Sequence, residues 1–237
     1  MKLFKSDRMN MIENKPLSKY LAYAFGEIIL VVISILIALS INNWNEKRIQ
    51  DVRLKNIYSI VAEDIKADTT ELSNLIKELE KNKSYFLKVM GDSLSYDDFV
   101  ACQECRYLAT SFSSYVLDQT GKDLLVQYSS ELGRDTLVMK IIQSYESIND
   151  LKVTIEKPIS DDVFSILSEW RDKHDWYSKV ILGLDDESHV HYLYKDWRHR
   201  NRLAHHYLLV YGNYYPSLIQ TKKKFSELLI EVELRFQ

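Results

Sequence analysis

Residues 21–41, LAYAFGEIILVVISILIALSI, decide how this chain is read. The stretch is 21 residues long and carries one charge, Glu27. At 1.5 Å per residue a helix of this length spans roughly 31 Å, close to the ~30 Å hydrocarbon core of a bilayer. The run from Ile28 to Leu39 is broken only by Ser34, so it is apolar on every face, unlike the one-sided stripe of a soluble surface helix. Its flanks carry Tyr20 and Tyr23 on one side and Trp44 on the other, as in an aromatic belt. A buried core helix is the bland alternative. A cleaved signal peptide is the sharper one, because Ala38-Leu39-Ser40 has the small-x-small form of a cleavage site. Against cleavage stand the long region before the apolar core and the charge of Glu27.

The rest of the composition agrees with helices. The 237 residues include only 6 Gly and 3 Pro, too few for a many-turned β-sandwich or a Gly-rich phosphate loop. Charged residues are 27 % and the net charge is −3, so no global basic field exists to hold nucleic acid. The expectation is an all-α protein: a basic tail at 1–19, a transmembrane helix at 20–44, a helical stem at 45–90 and a small helical bundle at 91–237.

Lys2, Lys5, Arg8, Lys15 and Lys19 precede the span, and Lys47, Arg48, Arg53 and Lys55 follow it. The positive-inside rule therefore favours, by a small margin, a cytoplasmic N-terminus in the inner membrane and an extracytoplasmic C-terminal domain. The part after the span is net acidic and does not seek an anionic membrane surface.

The segment GEIILVVISILIALSINNWNE, residues 26–46, resembles the signature of an uncharacterised bacterial family of single-pass membrane proteins, domain-of-unknown-function family 6090. The resemblance rests on Tyr23-Ala24-Phe25-Gly26-Glu27-Ile28 at the entrance and Asn42-Asn43-Trp44-Asn45-Glu46 at the exit. It extends more loosely to a Ser-Gly-type turn, here Thr120-Gly121-Lys122, and a Glu-Leu-type helical end at Glu231-Val232-Glu233-Leu234. It implies a membrane-anchored protein of unknown activity and brings no catalytic residues to carry over.

Beyond the span, Val61, Ile65, Asp68, Leu72, Leu75, Leu79, Asn82, Phe86 and Val89 alternate spacings of four and three, a heptad seam with Asp68 and Asn82 as polar interruptions. Such a seam serves a helix inside a bundle or a coiled coil between chains. Gly91-Asp92-Ser93 is expected to break this helix. A second helix is expected over 96–110, a turn at Thr120-Gly121, a short helix over 122–128, and a break at Leu132-Gly133. Asp135 is expected to cap a helix that Pro158 stops, and Ser160 to cap the next. Residues 189–236 are expected to be helical, with a bend near Gly212 to Pro216.

Each candidate site also has a plain structural role. Ala22, Gly26, Glu27, Ser34 and Ala38 lie on one side of the span, with small-x-x-x-small spacing that lets membrane helices approach. They form a candidate packing seam for a protein partner or a second copy; alternatively Glu27 snorkels to the interface. Cys102 and Cys105 form a CxxC, read as two half-buried thiols, a disulfide, or a redox or metal pair. Asp186-x-x-His189 and Asp196-x-x-His199 have a ligand-like spacing, but two copies so close in sequence do not suit facing helices of a di-iron bundle. Lys195, Arg198, Arg200 and Arg202 with Trp197 form a basic-aromatic patch, in plain terms a solvated helix face.

The preferred reading is a non-enzymatic membrane-anchored interaction or scaffold module of the cell envelope. It binds the lipid bilayer and a protein partner or itself through span and stem, with no nucleic acid, cofactor or metal. The alternative is a small-ligand sensor with an aromatic pocket made by Trp170, Trp176, Tyr177, Trp197 and Tyr207. A metal- or thiol-dependent enzyme ranks last.

Overall fold

The computed structural model describes residues 17–129, 135–184 and 186–235. The tail residues Lys2, Lys5, Arg8 and Lys15, the expected break at Leu132-Gly133 and the helix end at Phe236 lie outside them. The described residues are mostly helical and contain no strand. Two compact units divide the chain, 1–54 and 55–237.

In the first unit, helix α1 (Leu17–Met90) begins and carries the apolar run. Among the described residues it is the one helix long and apolar enough to cross a membrane, and its apolar window is fully exposed. Ser34 and Ser40 donate their hydroxyls to the carbonyls of Leu30 and Leu36, at 2.7 and 2.8 Å, so neither leaves an unmet donor on an apolar face. At the exit Asn42 Nδ2 donates to Glu46 Oε1 at 2.8 Å, and the Arg48 guanidinium lies 5.9 Å from the Trp44 ring centroid.

The second unit is built on the later turns of α1. Val61, Ile65, Asp68, Leu72, Leu75 and Phe86 of the heptad seam are buried inside this chain's own fold, together with Ile57, Tyr58 and Asp64. Helix α1 ends at Gly91-Asp92, where Asp92 takes φ +55. Short helices α2 (Tyr96–Ala101) and α3 (Gln103–Arg106) follow, in place of the single helix expected over 96–110. Cys102 between them leaves the helical conformation, with φ −88 and ψ 91. Residues 111–119 then run without regular structure, as a strap.

Thr120-Gly121 is not a turn; it opens helix α4 (Thr120–Gln127). Asp118 replaces the turn hydrogen bonds by accepting from the Thr120 N–H and hydroxyl at 3.1 and 2.8 Å.

Helix α5 (Thr136–Lys173) starts where Asp135 caps it, accepting from Leu137 N at 2.8 Å. It runs through Pro158, and Ser160 is interior to it, contrary to the expected stop and cap. An interior proline removes one ladder bond and crowds the carbonyl four residues back, at about 3 kcal/mol. Burial on both sides of Pro158 opposes that cost: Ile148 and Glu156 lie before it, Ile159, Ile166 and Trp170 after it, all on the inward face.

Helices α6 (Tyr177–Ile181), α7 (Glu187–Lys195) and α8 (Trp197–Tyr207) lead into a π-helical segment, Leu208–Tyr214, and then α9 (Tyr215–Leu234). The π segment occupies the place where a bend was expected. Pro216 has no N–H to offer the Gly212 carbonyl, so widening the helix there sacrifices little. It also turns Val210, Tyr211 and Tyr214 inward together.

Candidate functional site

The strap is the unusual part of this helical unit. A chain without a helix ladder must find other partners for its backbone groups. Helix α1 supplies three carboxylates one turn apart. Glu71 Oε1 accepts from Val116 N at 3.1 Å, Asp68 Oδ1 from Asp118 N at 2.8 Å, and Asp64 Oδ2 from Gly121 N at 2.6 Å. From the other side Tyr214 donates its hydroxyl to the Ser113 carbonyl at 3.0 Å, and Glu156 Oε2 accepts from the Ser114 hydroxyl at 2.8 Å. Glu156 is further held by Tyr214 at 3.2 Å and by Lys152 at 3.0 Å. His206, fully buried, places Nε2 3.3 Å from the Ser111 carbonyl and Nδ1 3.0 Å from Asp162 Oδ2.

Burial without a counter-charge raises a carboxyl. Burial pushes Asp68 up to about 6, opposed by the Asp118 N–H and the Tyr145 hydroxyl, and Asp64 is shifted up for the same reason. Burial also drives the phenols of Tyr145 and Tyr214 far up, with Asp68 and Glu156 adding to it, so both remain hydrogen-bond donors.

Beside the start of the strap lies a groove of about 290 Å³. Helix α1 forms one wall with Glu78, Leu79, Lys81, Asn82 and Phe86; Glu104, Tyr107 and Leu108 form the second. Ser111, Phe112 and Ser113 of the strap and Val210 and Tyr211 of the π segment close it. Phe86, Leu108, Val210 and Tyr211 are buried, whereas Tyr107 is 47 % exposed, which gives an apolar floor under an open rim. Tyr211 packs edge-on to Phe86 with centroids 5.5 Å apart and donates its hydroxyl to the Leu79 carbonyl at 2.8 Å. Lys81 and Glu104 face each other at 3.8 Å. Of the heptad seam, half-buried Leu79 and Asn82 and buried Phe86 line this groove. Such an arrangement can bind and orient a ligand.

The residues singled out from sequence fall elsewhere. Ala22, Gly26, Glu27, Ser34 and Ala38 are exposed on the span, and a methyl group at Gly26 would meet nothing within 4 Å. Cys102 and Cys105 are joined as a disulfide and are not free half-buried thiols. The proposed aromatic pocket does not assemble. Trp170 and Trp176 pack edge to face at 5.5 Å among His174, His189, Tyr192 and His199. Tyr207 joins Phe86 and Tyr211 instead, and Trp197 is 65 % exposed.

Both Asp-x-x-His pairs are helix caps: Asp186 accepts from Ser188 N and His189 N, and Asp196 from Arg198 N and His199 N. Among the described residues no group of three His, Cys, Asp or Glu is placed to hold a metal. The basic patch is largely engaged. Arg200 makes a two-pronged pair with Asp92 at 2.9 and 3.1 Å, Arg202 pairs with Glu169, and Arg198 lies over the Trp197 ring.

Of the strap carboxylates only Asp68 stood out in the sequence, as a polar interruption of the heptad seam. Asp64, Asp68 and Glu71 repeat at four and three, so acidic residues on an otherwise buried stripe were the available signal.

No curated protein and no solved structure matches the chain. The model of a family of unknown function (DUF6090) matches residues 27–133, which include most of the apolar run, the remainder of α1, the disulfide, the strap and α4. Over residues 27–133, less than half of its length, the chain thus matches the family of unknown function DUF6090, the family that residues 26–46 resemble.

Proposed function

We propose that this protein is a non-enzymatic, single-pass membrane-anchored binding module of the cell envelope. Its N-terminus is cytoplasmic, and its second unit works outside the inner membrane as an interaction or scaffold domain. The observation that carries the reading is the groove beside the strap, an open concavity with an apolar floor and a polar rim. The Cys102–Cys105 disulfide supports the exterior location, since such bonds persist in oxidising compartments. The fully exposed apolar window of α1 supports the anchor. The small-residue side of the span, with Glu27, is the surface through which copies or a second membrane protein would pack. The stem stripe is less available for pairing between chains, because most of it is buried within the second unit.

Two measurements on the full chain in cells test this. A reporter fused after Gln237 is expected to be active only outside the cytoplasm; activity only inside overturns the topology. A photo-crosslinking residue replacing Tyr107 on the groove rim is expected to yield an adduct of defined mass. The same residue replacing Phe164, which is 68 % exposed on α5, is not. Equal labelling at both positions, or none at either, overturns the groove as the binding site.

A further inference from the structure

Residues 96–110 contain neither Gly nor Pro, and their sequence favours one continuous helix, yet the chain breaks it at Cys102. The Cys102–Cys105 bond and an unbroken helix exclude each other. Residues three apart in a regular helix hold their Cβ atoms about 5–6 Å apart, whereas a disulfide needs about 3.5–4.5 Å. The local hydrogen bonds have adapted to the break. In an unbroken helix the Glu104 N–H would donate to the Val100 carbonyl. Here the Arg106 guanidinium takes that carbonyl. The Cys105 N–H donates to the Cys102 carbonyl at 3.2 Å, and the Cys102 N–H to the Asp98 carbonyl at 3.1 Å.

The break also decides what is buried. Phe99, Cys105, Leu108 and Ala109 all lie in the core. An unbroken helix would place Cys105 about 120° and Leu108 about 180° round from Phe99, so these side chains could not share one inward face. Phe99 is held against Tyr194, with ring centroids 5.4 Å apart. With Phe99 fixed, straightening the helix therefore carries Cys105 and Leu108 out of the core. Leu108 lines the groove beside Glu104 and Tyr107, so the bond keeps the second wall of the groove in place. Its two sulfurs are unequally placed: Cys102 is half-buried between exposed Ala101 and Gln103, whereas Cys105 is buried.

We propose that the Cys102–Cys105 bond is a redox switch for the second wall of the groove. Closed, it holds α2 and α3 apart and seats Leu108; opened by a dithiol reductant, it frees residues 102–110 to leave the core. One thiolate of the reductant attacks the Cys102 sulfur, the S–S bond breaks, and Cys105 leaves as a thiolate and takes a proton. The second thiol of the reductant then attacks the mixed disulfide and releases Cys102 as a thiol. The reductant departs as a disulfide, having given up two electrons and two protons. The consequence for binding rests on the reading of the groove as the binding site; the change in the wall does not.

The test uses the full chain in a neutral maltoside detergent, native and Cys102→Ser. Dithiothreitol without denaturant is expected to open the bond, read as maleimide uptake by both cysteines once the reductant is removed and the chain unfolded. Amide hydrogen exchange over 102–110 is then expected to run about 30-fold faster, the size of the loop-closure entropy of so short a loop. A short exposed helix protects its amides little, so straightening does not hide the change. Exchange over the buried α5 stretch 141–148 is expected to stay as it was. Reoxidation is expected to restore the native rate, and Cys102→Ser to exchange fast with or without dithiothreitol. Resistance to dithiothreitol, an unchanged rate in the reduced chain, or an equal rise over 102–110 and 141–148 overturns the switch. In cells, Cys102→Ser is expected to lower the yield of the photo-adduct at position 107. An equal yield from both chains overturns control of binding by the bond. If the native chain gives no adduct, the groove reading falls and the exchange measurement decides the switch by itself.

Discussion

Gly121 lies against Val61 so closely that a methyl group at Gly121 would come within 2.5 Å of Val61 Cγ2 and 2.7 Å of Val61 N. The Gly121 N–H meanwhile donates to Asp64 Oδ2 at 2.6 Å. The start of α4 thus rests on the backbone of α1, and the strap that leads into it is pinned at that point.

Gly121→Ala is expected to destabilise the chain by about 2–3 kcal/mol through overpacking. Because the clash includes backbone atoms of Val61, at 2.7 and 2.8 Å, adding Val61→Ala is expected to leave most of the loss in place. Chemical unfolding followed by circular dichroism measures both. Full recovery in the double variant would mean that the side chain alone sets the contact.

Asp68 gives a pH dependence with a definite sign. Burial raises its carboxyl from 3.8 to about 6 in the folded chain. Between about pH 4 and 6 the folded chain therefore holds a proton that the unfolded chain has lost, so this group's contribution to stability falls as pH rises through that window. Asp68→Asn keeps an acceptor for the Asp118 N–H and removes the titration. The variant is expected to lack this slope and to gain on the native chain by up to about 3 kcal/mol at neutral pH. An unchanged slope in unfolding curves taken across the window would contradict the assignment.

His199 works in the opposite sense. Burial, with His189 nearby adding to it, lowers its imidazole from 6.5 to about 4. Between those values the unfolded chain takes up a proton that the folded chain refuses, so stability is lost as pH falls from about 6.5 towards 4. His199→Phe retains a ring against Trp170 and Tyr192 and cannot titrate. It is expected to hold its stability further into acid than the native chain. The Asp68 and His199 variants measured side by side should tilt the stability–pH curve in opposite directions.

The disulfide closes a loop of only three residues' separation, for which loop-closure entropy gives about 2 kcal/mol. Loss of either sulfur by Cys102→Ser or Cys105→Ser is expected to cost that much. These are the only two cysteines, so maleimide labelling reads their state directly. The chain isolated without reductant is expected to be unlabelled, and to take up two equivalents after reduction and unfolding. Labelling of the native, unreduced chain would contradict both the bond and the exterior location it supports.

Much of this was legible in the residues. The helical content, the apolar run at 21–41, the break at Gly91-Asp92-Ser93, the cap at Asp135 and the irregularity before Pro216 each follow from local chemistry: hydrophobic period, missing donors, capping side chains. Local rules failed where burial overrode them. Pro158 sits inside α5 because inward-facing residues on both sides of it pack into one core. Thr120-Gly121 opens a helix because Asp118 and Asp64 meet the backbone donors there. The strap has no periodic signal at all, since its partners, Asp64, Asp68, Glu71, Glu156, His206 and Tyr214, are scattered between 42 and 101 positions away. The groove is lined from the same scattered segments. Sequence by itself determined which stretches are helical and which one is apolar enough for a membrane, because those depend on neighbours along the chain. Only the tertiary structure decided which carboxylates are buried, which aromatic rings meet and where a concavity remains, because those depend on residues brought together across it.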